Sequence, residues 1–127
     1  MSNLDLEPQS SGRKILVVDD NEDIADALSR LLSLLGYEVL TAYDGVRAIE
    51  VAKKELPDIV LLDIGMPEID GYEVARKMKN SIEKKIKLIA ITGYGQEEDR
   101  TRAYESGFDY HLVKPVGVED LKFVLQS

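Results

Sequence analysis

The sequence alternates between short apolar segments and segments with helical periodicity, and this alternation limits the fold more than any other feature. The segment "KILVV", which begins at Lys14, is rich in β-branched residues and has no polar face, as is typical of a strand buried on both sides. The period then changes, and a helix that Gly36 ends carries an apolar stripe along one face. The stripe consists of Ile24, Leu28, Leu31, Leu32 and Leu35.

The later segments repeat the same order of strand and helix. Strand "YEVLTA" precedes a helix that starts at Asp44, and strand "DIVLLD" precedes a helix over residues 71 to about 79. Strand "KLIAIT" precedes a helix over about 96 to 106, and strand "DYHLV" precedes a last helix from about Val118. Such alternation requires right-handed crossovers and a parallel sheet with helices on both faces. The sequence therefore predicts a doubly wound, three-layer α/β sandwich with a five-stranded parallel sheet.

The length and the N-terminal composition predict one domain. At 127 residues with 44% hydrophobic content, the chain can bury a core of its own. Residues 1–12 show no apolar periodicity, so we expect a flexible N-terminal tail or linker stub before a domain over residues 13–127. We find neither the apolar run of a signal peptide nor a segment long enough to span a membrane, and we expect a cytoplasmic protein.

The charge balance and the lack of cysteine exclude several kinds of function. The chain has 24 acidic and 16 basic residues and a net charge of -8. Such a charge disfavours binding to nucleic acid or to anionic membranes unless basic residues cluster, and we expect no basic cluster here. Because the sequence contains no cysteine, disulfides, thiolate metal sites and cysteine nucleophiles are excluded.

Polar side chains stand where the predicted strands end. In open parallel sheets, ligands bind beyond the carboxyl ends of the strands, where the direction of the connections reverses. These positions are occupied here by Asp19, Asp20, Asp63, Thr92 and Lys114. Carboxylates about 5 Å apart repel one another by roughly 3 kcal/mol per pair at an effective dielectric constant near 20, so three of them need a cation to stay ionised together.

The chemistry of these five side chains points to phosphoryl transfer. An all-oxygen ligand set without histidine or cysteine suits Mg²⁺, which keeps several waters and is often shared with a phosphate group. The lysine and the hydroxyl would donate to the oxygens of a phosphoryl group, and one carboxylate could accept that group as an acyl phosphate. The set therefore predicts phosphorylation of an aspartate with magnesium as the cofactor.

From about Lys14 to its end, the chain resembles the receiver domain of bacterial two-component response regulators. The resemblance rests on four motifs in order, "VVDDN", "LLDIGMPEIDG", "AITG" and "HLVKP". It implies the flavodoxin-like strand order 2-1-3-4-5 and a phosphoacceptor signalling domain. Such a domain is not an enzyme beyond catalysing its own phosphotransfer and dephosphorylation.

The resemblance also implies partners. The phosphoryl group would come from a phosphohistidine on a sensor histidine kinase or a histidine phosphotransfer protein. A downstream protein would contact the face formed by the fourth helix, the fifth strand and the fifth helix, near Arg102, Tyr104, His111 and Lys122. Neither nucleic acid nor a membrane is expected as a partner.

The resemblance assigns roles to the residues at the strand ends. Asp63 is implied as the phosphoacceptor, and Thr92 and Lys114 as contacts of the phosphoryl oxygens. The Lys114–Pro115 peptide bond is usually cis in the family. The implied metal ligands are Asp20, Asp63 and the backbone carbonyl of Gly65, with Asp19 acting largely through water.

Two further positions are expected to modulate signalling. Three residues before Lys114, many response regulators carry a tyrosine or phenylalanine that turns inward as the threonine moves, whereas this sequence has His111. This departure leaves two interpretations of His111, a signalling role and a place on the solvent side of the last strand. Tyr94 lies between two glycines, two residues beyond Thr92, and we expect its ring to shield the phosphoryl group or to contact a partner.

Three other functions are weighed against phosphoacceptor signalling. A metal-dependent phosphatase of the haloacid dehalogenase type also forms an aspartyl phosphate, but its motif has an acidic residue where this chain has Gly65. A flavodoxin-like nucleotide binder would need a glycine-rich phosphate loop after the first strand, where an acidic pair stands instead. An interaction module that is never phosphorylated would have lost an acidic or lysine position, and none is lost.

Overall fold

The computed structural model describes residues 13–65, 70–93 and 97–126, and strands and helices alternate through these ranges. The strands are β1 (Lys14–Val18), β2 (Glu38–Ala42), β3 (Ile59–Asp63), β4 (Lys87–Thr92) and β5 (Tyr110–Val113). The helices are α1 (Glu22–Leu34), α2 (Gly45–Glu55), α3 (Gly71–Ser81), α4 (Glu97–Glu105) and α5 (Val118–Gln126). Each predicted strand and helix is therefore present, and the expected N-terminal tail lies outside the described residues.

The five strands form one parallel sheet in the order β2-β1-β3-β4-β5, which confirms the predicted order. From β1 the chain goes outward to β2 and then crosses back to β3, on the other side of β1. The direction of winding thus reverses between β1 and β3. Ligands bind at such a reversal in open α/β sheets, and here it lies between Asp19, which follows β1, and Asp63, which ends β3.

Helices cover both faces of the sheet, so the strands are buried on two sides. One core layer packs even-numbered strand residues such as Val60 and Leu88 against α2, α3 and α4. The other packs odd-numbered strand residues such as Leu61 and Ile89 against α1 and α5. This is the predicted three-layer sandwich. Among the described residues, no helix combines the length and the apolar character that a membrane span requires.

Side-chain caps begin the first three helices. Asn21, Asp44 and Asp70 each accept a hydrogen bond from a backbone N–H in the first turn of α1, α2 and α3. Asn21 follows the acidic pair directly, so its cap also fixes where the backbone after Asp20 enters α1. Leu56 caps the C-terminus of α2, and its φ of 49° lies in the left-handed region that normally favours glycine.

Two backbone features shape the loops at the carboxyl ends of β3 and β5. A Cβ atom on Gly71 would lie 2.7 Å from Cα of Ile64, so the start of α3 approaches the segment after Asp63 more closely than any side chain would allow. The Lys114–Pro115 peptide bond is cis, as the resemblance implied.

Candidate functional site

Three carboxylates meet at the reversal point of the sheet. One carboxylate oxygen from each of Asp19, Asp20 and Asp63 lies within 4.8 Å of the others. Asp19 and Asp63 are buried, with 5% and 6% of their surface exposed, whereas Asp20 is exposed. The cluster therefore has a buried base and an opening to solvent.

Backbone N–H groups and one lysine orient the two buried carboxylates. Oδ1 of Asp19 accepts a hydrogen bond from the Asn21 N–H at 2.9 Å, and Oδ1 of Asp63 accepts one from the Gly65 N–H at 2.8 Å. The other oxygen of each carboxylate faces Lys114, whose Nζ lies 3.0 Å from Oδ2 of Asp63 and 3.6 Å from Oδ2 of Asp19. Lys114 thus bridges the ends of β1 and β3 from the end of β5.

The charges in this pocket are not balanced. Burial raises the pKa of the Asp19 carboxyl, and repulsion by Asp63 raises it further, against the opposing effects of the Asn21 N–H and Lys114. Burial alone would lower the pKa of Lys114, but the hydrogen bond to Asp63 and the charges of Asp63 and Asp19 outweigh it, so the pKa is raised. One lysine therefore stands against three carboxylates, and the pocket favours an additional cation.

The structure places Thr92 at the same edge of the sheet. Thr92 ends β4 and is 2% exposed, and its backbone carbonyl accepts a hydrogen bond from the Lys114 N–H at 2.8 Å. The preceding residue, Ile91, pairs in register with Asp63. The sheet therefore brings Asp19, Asp20, Asp63, Thr92 and Lys114 to one edge, as the strand-end pattern predicts.

The donor set of the pocket fits Mg²⁺. Every candidate ligand is an oxygen, and small hard cations with several retained waters prefer a few carboxylates of this kind. A bound cation would offset the burial and the repulsion by Asp63 that raise the pKa of Asp19. Whether the carbonyl of Gly65 is a ligand stays a prediction, because only its N–H contact with Asp63 is defined.

His111 lies on the inner side of β5. It pairs in register with Ala90, which belongs to the core layer beside α2, α3 and α4, and both ring nitrogens are shielded from solvent. The interpretation of His111 as a residue on the solvent side of the strand is therefore wrong. Tyr94 lies outside the described residues, and its shielding role stays a prediction.

Sequence reasoning missed one group of charged residues. We expected no basic cluster, but Arg13, Lys85 and Lys87 line a common cavity at the amino ends of the strands. The run "KKIK" at residues 84–87 was the available signal. Its convergence with Arg13 depends on the strand order and could not be seen in the sequence.

Comparison with known sequences places the chain in a family. The family model for the response regulator receiver domain matches residues 15–126. A probable transcriptional regulator ycf27 of Cyanophora paradoxa is 40% identical over 115 residues, which cover 91% of this chain and 47% of the relative. The protein of the same name from Galdieria sulphuraria is 42% identical over 109 residues, or 86% of this chain and 42% of the relative. The chain thus spans about half the length of these curated relatives.

Solved structures agree with this placement. The chemotaxis protein CheY4 of Vibrio cholerae is 33% identical with a TM-score of 0.84, covering 90% of this chain and 96% of its own. A CheY-like receiver domain protein of Methanospirillum hungatei JF-1 is 30% identical with a TM-score of 0.82, covering 90% of each chain. A response regulator protein of Burkholderia pseudomallei with a phosphorylated aspartic acid, a calcium ion and citrate is 28% identical with a TM-score of 0.83, covering 91% of this chain and 67% of its own. With the family match over nearly the whole described chain and the acidic pocket at the switch point of the sheet, the chain belongs to the response regulator receiver domain family.

Proposed function

We propose that this receiver domain accepts a phosphoryl group on Asp63 from a phosphohistidine of a sensor histidine kinase or a histidine phosphotransfer protein. The observation that carries the proposal is the orientation of Asp63, whose Oδ1 is held by the Gly65 N–H at 2.8 Å and whose Oδ2 lies 3.0 Å from Nζ of Lys114. A nucleophile held in this way has lost much of its rotational freedom before the donor arrives. An oxygen of Asp63 would attack phosphorus while the bond from phosphorus to the histidine nitrogen breaks.

The proposed roles of the neighbouring residues follow from their charges. Lys114 already contacts the Asp63 carboxylate and would neutralise the phosphoryl oxygens that appear there. Thr92, at the end of the adjacent strand, would donate its hydroxyl proton to one of these oxygens. Asp19 and Asp20, with Asp63, would hold Mg²⁺, which when bound supplies positive charge to the carboxylates and the phosphoryl oxygens.

We propose that the phosphorylated state is recognised on the face formed by α4, β5 and α5. Several large apolar side chains are exposed on the elements of this face, although such side chains are usually buried. They are Tyr104, Val113, Val118 and Phe123, of which Phe123 is 68% exposed. His111 lies in β5 and pairs with Ala90, two residues before Thr92 in β4. It would respond to a movement of Thr92.

The decisive experiment is phosphorylation followed by intact-mass measurement. The wild-type protein is incubated with acetyl phosphate and Mg²⁺, and we expect one phosphoryl adduct that Asp63→Asn does not form. Asp120→Asn, a carboxylate change on the exposed first turn of α5, is the matched control and should be phosphorylated like wild type. A Mg²⁺-dependent adduct of equal yield on the Asp63→Asn protein would show that another residue is the acceptor.

The family placement and the comparisons support signalling and give no support to the phosphatase alternative. Members of this family are generally signalling modules and not enzymes. Release of the phosphoryl group by the domain itself is therefore proposed only as self-dephosphorylation at Asp63. Its rate is measured by following the decay of the phosphorylated protein after the donor is removed.

A further inference from the structure

A second polar cavity lies at the edge of the sheet opposite the acidic pocket. Its volume is about 480 Å³, and Arg13, Asp58, Lys85, Lys87, Asp109 and Tyr110 line it. These residues precede or begin β1, β3, β4 and β5, so they stand at the amino ends of the strands. The cavity therefore shares no residue with the proposed phosphorylation site.

The two carboxylates of the cavity are already engaged with other groups. Oδ2 of Asp58 accepts a hydrogen bond from the Lys14 N–H at 2.8 Å, and its Oδ1 forms an ion pair with Lys84 at 2.9 Å. Burial would raise the pKa of Asp58, but these partners and the nearby charge of Arg13 outweigh it and the pKa is lowered. Oδ2 of Asp109 accepts a hydrogen bond from the Leu88 N–H at 2.9 Å. Both carboxylates thus serve the backbone of neighbouring strands.

Two of the three cations of the cavity contact the end of α5. Arg13 donates to the Leu125 carbonyl at 3.4 Å, and Nζ of Lys87 donates to the carbonyls of Val124 and Leu125 at 3.0 and 3.3 Å. These acceptors are neutral groups at the end of α5. Lys85 is exposed and makes no hydrogen bond or ion pair with the described part of the chain. Burial lowers the pKa of Lys87, and the positive charge of Arg13 lowers it further, against the opposing effect of Asp109.

We propose that this cavity binds a small phosphate-bearing anion through Arg13, Lys85 and Lys87. A guanidinium group matches two phosphate oxygens at once, and ammonium groups add charge without restricting geometry. Arg13, Lys85 and Lys87 outnumber the two carboxylates of the cavity, and each carboxylate also faces a lysine outside the lining, Lys84 at 2.9 Å from Asp58 and Lys79 at 4.0 Å from Asp109. A bound anion would offset the positive charge that remains.

The size and the lining of the cavity indicate which kind of anion it can hold. About 480 Å³ is larger than one phosphate group needs and lies within the usual range of small-molecule sites. Tyr110 adds an aromatic ring, with Nζ of Lys87 5.8 Å from its centroid. A nucleotide could therefore place its phosphate between the cations and its base or sugar against the ring.

Binding would also affect the end of α5. Arg13 and Lys87 hold the last carbonyls of this helix, and a phosphate group would compete for the same N–H donors. We therefore expect the amides near Val124 and Leu125 to respond to the ligand together with those of the cavity. This coupling gives the site a readout that does not depend on phosphorylation of Asp63.

The test is an NMR titration of the ¹⁵N-labelled protein with pyrophosphate and, separately, with adenosine monophosphate, without Mg²⁺ and at constant ionic strength. We expect saturable shifts at Arg13, Lys87, Tyr110 and the end of α5. Lys85→Gln should weaken binding at least about fivefold, because it removes a positive charge that would contact the anion. The change breaks no hydrogen bond or ion pair within the described part of the chain. Lys53→Gln, an exposed lysine change near the end of α2, is the matched control and should bind like wild type.

Each outcome of the titration has one meaning. Tighter binding of adenosine monophosphate than of pyrophosphate would assign the site to nucleotides, and the opposite order would assign it to the phosphate group alone. Shifts that fail to saturate by about 10 mM, or an unchanged affinity in Lys85→Gln, would overturn the proposal. Saturable shifts confined to the surroundings of Asp19 and Lys114 would overturn it as well, since they would place the anion in the acidic pocket.

Discussion

Replacing Asp19 by asparagine should stabilise the metal-free protein at neutral pH, although it removes a residue of the proposed metal site. Asparagine keeps an oxygen that can accept the hydrogen bond from the Asn21 N–H, so the backbone after β1 retains its anchor. The charge is lost, and the folded state no longer holds a buried carboxylate whose pKa is raised by burial and by Asp63. The substitution thus removes the destabilising effect of the charge while it keeps the hydrogen bond that holds the loop.

The expected gain can be worked out from the distances. At an effective dielectric constant near 20, two carboxylates at the 4.8 Å limit of the cluster repel by about 3.5 kcal/mol, and Asp19 has two neighbours within that limit. Lys114, at 3.6 Å, attracts Asp19 by about 4.6 kcal/mol on the same scale. The difference is about 2 kcal/mol, and screening at the exposed Asp20 reduces it to about 1–2 kcal/mol. For a domain of this size we expect a rise in Tm of about 3–8 °C.

The pH dependence gives the sign of the effect. The folded pKa of Asp19 lies above its ordinary value of 3.8, so the folded state binds this proton more tightly than the unfolded state does. The contribution of Asp19 to wild-type stability therefore falls as the pH rises from 3.8 through the folded pKa, and Asp19→Asn lacks this loss. The advantage of the variant should be full above the folded pKa and should shrink toward pH 3.8.

The assay is thermal unfolding in EDTA at a series of pH values, with Asp23→Asn as the control. Asp23 is an exposed carboxylate in the first turn of α1, and its neutralisation should change stability by no more than about 0.5 kcal/mol. Added Mg²⁺ should stabilise wild type more than Asp19→Asn and so narrow the gap. A lower stability of Asp19→Asn than of wild type at pH 7 in EDTA would contradict this prediction. A gain in stability that does not shrink in acid would contradict it as well.

Three further predictions concern the metal and the backbone. Asp20→Asn should weaken Mg²⁺ binding at least about tenfold in a calorimetric titration, since a charge and an oxygen ligand are both altered, and unchanged affinity would place the metal elsewhere. Gly71→Ala should lower the free energy of unfolding in urea by about 1–3 kcal/mol, because its Cβ would lie 2.7 Å from Cα of Ile64, and equal stability would contradict this close approach. Leu56→Gly should raise stability by up to about 1 kcal/mol in the same assay, because glycine adopts the φ of 49° without strain, and a loss would mean that the half-exposed leucine side chain contributes more than the strain costs.

Local sequence patterns were sufficient to predict the elements of the fold and the edge of the sheet at which the site lies. Apolar periodicity is a local property, so the strands and helices could be recognised without knowledge of their packing. Parallel strands point the same way, and polar residues at their carboxyl ends must therefore share one edge of the sheet. This is why Asp19, Asp63, Thr92 and Lys114 could be grouped although 51 positions separate Asp63 from its contact Lys114.

The distribution of charge and burial over these residues depends on tertiary contacts and could not be predicted from the sequence. That Lys114 bridges Asp19 and Asp63 depends on the path of the backbone after β5, and that His111 is shielded depends on the layer of helices beside it. The meeting of Arg13 with Lys87 requires β3 to lie between β1 and β4, and no local pattern encodes that order. Burial and electrostatic energies depend on distances between residues that are remote in sequence, so they exist only once the sheet has assembled.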